Sequence, residues 1–214
     1  MNSITQQTGL RVGVVGLGMM GQPHARIYSQ LQCELVGVVG ANLERAKKIG
    51  ERYSTKYYTD YTKLMPHVDA VSIVVPTTLH RQVATDFIKQ GIHCLVEKPI
   101  ASNLEEAEEM IQAADENHTK LMVGRVERFN PAVLRLKQII DEGILGKLMI
   151  ISTRRVGPFV SRIRDVGIII DSATHDIDIA RYLVGKEPVE VFSKVGRFKH
   201  QKERPCCNCS GFQQ

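Results

Sequence analysis

An α/β fold is predicted for this chain: a doubly wound parallel sheet, then a second, incomplete α+β domain with an open sheet. Three observations predict it. Short apolar runs alternate with amphipathic stretches over the first 124 residues. The first apolar run, V-G-V-V at 12–15, opens straight into G-x-G-x-x-G (Gly16, Gly18, Gly21). After Gly124 the alternation gives way to longer, half-apolar segments. Strands alternating with helices argue for right-handed βαβ units on a parallel sheet, here of Rossmann type.

The elements follow in order. Residues 11–15 read as the first strand, and 21–31 as a helix with Pro23 in its first turn, where a missing N–H does no harm. E-L-V-G-V-V (34–39) is a second buried strand and 43–53 a second helix. Residues 58–65 read as a short helix, 70–75 as the third strand, 79–90 as a helix ended by Gly91, and 93–98 as the fourth strand. Ser102 and Glu105 have capping-box spacing, so a helix is expected to about Asn117. Residues 120–124 make a fifth strand. The first domain therefore spans 10–124. The second, 125–200, holds a helix at 131–141 opened by Pro131. A long segment (147–156) and an apolar one (166–171) come next. A helix at 175–184 ends at Gly185, and an alternating strand covers 189–195.

Composition excludes several function classes. A net charge of +5, from 28 Lys+Arg against 23 Asp+Glu, is spread along the chain and gives no nucleic-acid footprint. No run reaches the roughly eighteen apolar residues that span a bilayer. The first residues lack a charged region followed by an apolar core, so a cytoplasmic address is expected. Cys33 and Cys94 sit in apolar surroundings as buried thiols. Cys206, Cys207 and Cys209 have no His or fourth Cys at ligand spacing, so no metal is expected.

The glycine turn carries the chemistry. Gly16 allows a tight turn, Gly18 lets the backbone approach a dinucleotide pyrophosphate, and Gly21 lets helix and strand pack closely. The N–H groups of Met19 and Met20 open the helix, whose positive end faces the anion. The alternative is a turn that needs its glycines for packing alone. An acid normally ends the second strand and binds the ribose 2′-hydroxyl of NAD; here Gly40 stands there, with Asn42 and Arg45 following. NADP use, or use of both NAD and NADP, is expected, with Arg45 on the 2′-phosphate; NAD alone would make Asn42 the ribose contact.

Four further segments carry a resemblance: E-K-P (Glu97, Lys98, Pro99), D-S-A-T-H-D-I-D (171–178), V-V-P-T-T-L-H (74–80) and R-F-N-P (128–131). With the glycine turn they resemble the glucose-fructose oxidoreductase / inositol dehydrogenase / MocA (Gfo/Idh/MocA) family over residues 10 to about 200. Residues 154–167 further resemble its UDP-N-acetylglucosamine 3-dehydrogenase branch. The resemblance implies a nicotinamide-dependent dehydrogenase acting on a secondary hydroxyl of a sugar, nucleotide sugar or cyclitol. It implies Lys98, Asp171 and His175 as the residues at the reacting centre. A histidine titrating near neutrality can take the hydroxyl proton, Lys98 can stabilise charge on the oxygen, and Asp171 can orient the substrate or keep Lys98 charged. Taken singly, Lys98 could be an exposed strand-end lysine, Asp171 a helix cap and His175 a surface histidine. Pro76, Thr77 and His80 resemble the family's turn beside the ribose and nicotinamide, with Pro and Thr exchanged. Glu97 resembles the residue near the nicotinamide ribose. His24 is expected to be a packing residue.

Arg154, Arg155, Arg162 and Arg164 cluster ahead of the catalytic helix and suit a diphosphate. Arg155, Arg164 and Asn130 are the substrate candidates. The cluster could instead be a solvated basic face, and Asn130 could simply cap the helix after it. Residues 201–214 read unlike what precedes them, an aberrant tail expected from a frameshift or alternative splice that truncates the second domain. Homo-oligomerisation through that domain's sheet is a further expectation. The rival function is a cofactor-binding fragment or sensor without turnover.

Overall fold

The computed structural model describes residues 9–154 and 173–194. The chain divides into two compact units between Gly124 and Arg125.

The first unit is built on a six-stranded, all-parallel sheet in the order β3-β2-β1-β4-β5-β6. Its strands are β1 (Arg11–Val15), β2 (Glu34–Val39), β3 (Lys56–Tyr58), β4 (Ala70–Ile73), β5 (His93–Val96) and β6 (Leu121–Val123). Four helices connect them: α1 (Gly21–Tyr28), α2 (Leu43–Arg52), α3 (His80–Ile88) and α4 (Leu104–Glu116). Val14 and Val38 pack with Ala25 of α1 and Ala46 and Ile49 of α2 in one buried cluster. Val71, Ile73 and Val96 pack with Phe87 of α3 and Met110 of α4 in another. A parallel strand covered on both faces must be apolar at nearly every position, which is why the central strands read as continuous apolar runs.

Several expectations change. The short helix expected within 58–65 is a 3₁₀ turn, Tyr61–Lys63, followed by a second, Met65–His67, and an edge strand that was not expected, β3, precedes them. Tyr58 pairs with Val39, and Asp60 accepts the Thr62 N–H to start the first turn. The cap of α4 is displaced by one residue: Asn103, not Ser102, accepts the N–H of Glu106, and Glu106, not Glu105, takes the Ser102 N–H at 3.1 Å. Helix α1 stops at Tyr28, three residues short of the expected end, where Ser29 turns its hydroxyl onto the Arg26 carbonyl. Strands β4 and β5 also end two residues early. Single bonds from Val74 N–H to Val15 O (2.7 Å) and from Glu97 N–H to Ile73 O (3.0 Å) carry them one residue further, into the site.

In the second unit, α5 (Pro131–Asp141) and α6 (Thr174–Val184) are joined to a 3₁₀ turn at Val126–Phe129. Gly185 takes φ 70° and caps α6. The strand expected at 189–195 is absent over 189–194, where Val189, Val191 and Phe192 are exposed. A strand needs a ladder partner, and among the described residues of this unit there is none. Residues 166–171 and 201–214 lie outside the described residues.

Candidate functional site

In the sheet, β1 lies between β2 and β4, so the chain runs one way to β2 and β3 and the other way to β4, β5 and β6. The carboxyl ends of β1 and β4 flank the point where the order reverses, the crevice in which open α/β sheets bind ligands. The glycine turn sits there. Gly16 takes φ 100° and donates its N–H to Val39 O at 2.8 Å. A Cβ on Gly16 would stand 2.3 Å from Val74 O, and one on Gly21 would stand 1.8 Å from Gly16 O. These two glycines are demanded by packing. Gly18 is not: no atom lies within 4 Å of where its Cβ would be. The backbone at Gly18 is exposed and open at the head of α1. Met19 and Met20 flank it, 57% and 40% exposed, so neither is a packing residue. Met20 is the N-cap, no side chain caps the first turn and no acid lies in it. A positive helix end with neither a side-chain cap nor an acid in its first turn fits a pyrophosphate, so the residues present suit a dinucleotide.

The end of β4 supplies the next wall. Pro76 is exposed and opens a 3₁₀ turn, Thr77–Leu79, with Thr77 half-buried. His80 is 1% exposed. Its Nδ1 lies 2.9 Å from Pro99 O and its Nε2 3.0 Å from Val75 O. Both nitrogens face backbone carbonyls, so His80 staples the Val75 turn to the E-K-P turn, beside the site where a cofactor contact is expected.

Glu97 and Lys98 follow β5 directly. Lys98 is half-buried; Glu97 is only 9% exposed. Its Oε1 lies 3.2 Å from His24 Nε2, and its Oε2 accepts the Lys98 backbone N–H at 3.1 Å. Burial pushes the Glu97 carboxyl up, but the His24 bond and the Lys98 N–H outweigh it and hold the group below its ordinary value. His24 Nδ1 lies 3.1 Å from Ser72 Oγ, itself 2.7 Å from the Tyr28 hydroxyl. Sequence reasoning missed this chain. Its signals were His24 and Tyr28 four apart on one helix face, and a serine inside the apolar run of β4.

At the end of β2, Gly40 faces Leu17: a Cβ there would stand 3.1 Å from Leu17 Cδ1. Asn42 caps α2, its Oδ1 accepting the Arg45 N–H at 2.8 Å, so that oxygen is already engaged. Arg45, Lys48 and Arg52 line a cavity of about 430 Å³ between α2 and Gln22 of α1.

In the second unit, Asn130 Oδ1 accepts the Ala132 N–H at 3.0 Å and its Nδ2 reaches Glu127 at 3.4 Å. Asn130 is thus a cap for α5, the second of the two readings its position offered. His175 is half-buried in the first turn of α6. Three residues on, Asp178 is 3% exposed and gripped by Arg125 (2.6 Å) and by both Nε (2.8 Å) and Nη2 (2.6 Å) of Arg128. The Arg128 guanidinium stands 5.5 Å from the Tyr182 ring centre. Asp178 was another residue missed; its partner, Arg128, lies in the R-F-N-P segment. Asp171, Arg155 and Arg164 lie outside the described residues. Among the described residues no group of three or more acids, histidines or cysteines could hold a metal, and no helix is long and apolar enough to cross a membrane.

Comparison with known proteins agrees with this geometry. Residues 10–125 match the model of an oxidoreductase family with an NAD-binding Rossmann fold, and 133–208 match a GFO/IDH/MocA C-terminal domain. UDP-N-acetylglucosamine 3-dehydrogenase of Acidithiobacillus ferrooxidans is 37% identical over 182 residues, covering 85% of this chain and 56% of the relative. Its crystal structure superposes with a TM-score of 0.80 at 34% identity, over 91% of this chain and 63% of that one. Myo-inositol 2-dehydrogenase of Thermotoga maritima is 32% identical over 192 residues, 86% of this chain and 58% of the relative. The chain thus spans little more than half the length of these relatives. With the NAD-binding sheet, the glycine turn and E-K-P all matched, the chain belongs to the Gfo/Idh/MocA oxidoreductase family.

Proposed function

We propose that this chain holds a nicotinamide dinucleotide on the crest of its first unit and carries the residues for oxidation of a secondary hydroxyl on a sugar, nucleotide sugar or cyclitol. The carrying observation is the open backbone at Gly18, which no packing demand explains, on the same sheet edge as Lys98. Gly16, Gly18 and Gly21 shape the pyrophosphate site, with the N–H groups of Met19 and Met20 toward the anion. Pro76, Thr77 and Glu97 border the nicotinamide side, and His80 holds that border in place. When bound, the nicotinamide supplies the hydride acceptor. Lys98 donates a hydrogen bond to the reacting oxygen and stabilises its developing charge. His175 takes the hydroxyl proton on a ring nitrogen, and Asp171 orients the substrate. Arg155 and Arg164 suit the diphosphate of a nucleotide sugar, the substrate class named by one relative; the cyclitol alternative comes from the other.

NADP use is part of the proposal. Packing against Leu17 favours a small residue at position 40, so no carboxylate ends β2, and Arg45, Lys48 and Arg52 outnumber Glu44 in the cavity beside α2. Titration of NADH and NADPH by quenching or enhancement of their fluorescence tests both points. Comparable or tighter NADPH binding supports NADP use, and a clear NADH preference overturns it. Turnover is tested at the reduced-nicotinamide absorbance band with UDP-N-acetylglucosamine and myo-inositol. Lys98→Met is expected to abolish it and leave cofactor affinity largely intact. Binding without turnover on any sugar or cyclitol would favour the rival reading, a cofactor-binding fragment.

A further inference from the structure

We propose that His24 is a positioning residue: it ties the phosphate-loop helix α1 to the strand end that carries Lys98, using the two oxygens of Glu97 as the link. The inference rests on the reading that the crest holds a dinucleotide.

The geometry is that of a bridge. The Glu97 side chain is 11% exposed and that of His24 13%. A carboxylate so far from water needs donors on its oxygens to remain ionised. It receives one on each. His24, three residues past Gly21, meets Oε1; the Lys98 backbone N–H meets Oε2. One oxygen therefore reads the position of α1 and the other the position of Lys98. Gly124 closes the remaining side, where even a Cβ would stand 3.3 Å from Oε1.

The imidazole is itself clamped. With Nε2–H directed at Glu97, Nδ1 accepts from the Ser72 hydroxyl, and Ser72 accepts from the Tyr28 hydroxyl. That arrangement of hydrogens gives every polar partner in the chain a bond. Ser72 is fully buried in β4, paired with Val14 of β1 and Leu95 of β5. Swinging His24 away from Glu97 breaks a bond at each end of the ring. A displacement of α1 by an anion at its head is passed to Glu97 and so to the backbone of Lys98. A histidine that merely filled space would need neither of its two ring bonds.

The test follows the Lys98 amide in the chain labelled with ¹⁵N-lysine, its signal identified by loss in Lys98→Arg. In the wild type the step that Glu97 imposes on this amide lies below 4.5, the ordinary glutamate value, because its bonds hold the carboxyl down. In His24→Asn, whose amide still reaches toward Ser72 but stops short of Glu97, the Glu97 step is expected to move upward, since burial then acts with less opposition. In His24→Gln, long enough to donate to Glu97, the step returns toward the wild-type position. Should His24→Asn fail to fold, Tyr28→Phe serves: it frees Ser72, loosens the ring and moves the same step upward. A Lys98 amide indifferent to these variants overturns the proposal.

Ligand binding gives the second readout. His24→Asn is expected to weaken NADH by roughly fivefold, the net worth of one ordinary hydrogen bond, while ADP changes by less than about twofold. Equal losses for ADP and NADH would mean that His24 only supports α1, and would overturn the inference. If the wild type binds neither ligand, the crest reading fails, and the amide titration still decides the His24 link by itself.

Discussion

Gly16 and Gly21 close on one another so tightly that the Gly16 carbonyl oxygen lies 1.8 Å from where a Cβ on Gly21 would stand. Both neighbours are backbone, so neither can move aside. The same position on Gly18 is empty. The three glycines of one motif therefore separate into two that the fold requires and one that it does not.

Gly21→Ala is expected to destabilise the first unit by about 2–4 kcal/mol, because an overlap with backbone must be relieved by separating α1 from β1. Gly18→Ala is expected to leave the melting temperature within about 2 °C and to weaken NADH at least roughly tenfold, since a methyl group fills the pyrophosphate cradle. Thermal melts and cofactor titrations of the two variants check this. A Gly18→Ala chain that binds NADH normally would leave the turn a packing device only.

Asp178 joins α6 to the turn before α5 through two arginines. Asp178→Asn removes the charge from a buried position and leaves Arg125 and Arg128 without their counter-ion. Both arginines are more than a third exposed, so water softens the loss, and about 1–3 kcal/mol is expected. Chemical denaturation followed by near-ultraviolet circular dichroism of Tyr182, whose ring lies beside Arg128, reports it. No change in the midpoint would mean that the cluster does not hold the second unit together.

Acid should destabilise the chain in a defined window. For both Asp178 and Glu97, burial pushes the carboxyl up, but hydrogen bonds and opposite charges outweigh it: Arg128 and Arg125 at Asp178, His24 and the Lys98 N–H at Glu97. The folded values therefore lie below the ordinary 3.8 and 4.5. A lowered folded value gives stability that is complete above the unfolded value and lost as pH falls through the folded one. Urea midpoints should fall as the pH drops below 4.5, and Glu97→Gln should flatten the upper part of that fall. A midpoint that rises on acidification contradicts the assignment.

The two described thiols differ in accessibility. Cys94 is 3% exposed, and burial pushes it up to about 12; Cys33 is half-buried and raised less far, again by burial. The thiolate is the reactive form. Alkylation of the native chain at mildly alkaline pH should mark Cys33 before Cys94, with Cys94 reacting at full rate only in denaturant. Peptide mass spectrometry of the quenched products reads the order.

Much of the first unit was legible from the chain alone. β1 and β2 span the residues expected, each ending with its apolar run, because the part of a strand buried on both faces must be apolar. α5 spans the residues expected after Asn130 and Pro131, since that pair both opens and caps a helix. β3 was not legible: K-Y-Y is too short for any period, and it becomes a strand only because Val38 and Val39 offer an edge. The strand expected at 189–195 had the right alternation, but alternation does not provide a partner.

The sequence by itself determined the parallel sheet, the place of the glycine turn and the position of E-K-P at a strand end, for these follow from apolar periodicity and backbone sterics over a few neighbouring residues. Only the tertiary structure decided what those residues touch. It buried His80 between two turns, joined His24 to Glu97 across 73 positions of chain, and separated Gly18 from its two companions. The reason is that hydrogen bonds and steric contacts act between groups brought together by the fold, and spacing along the chain carries no record of which groups those will be.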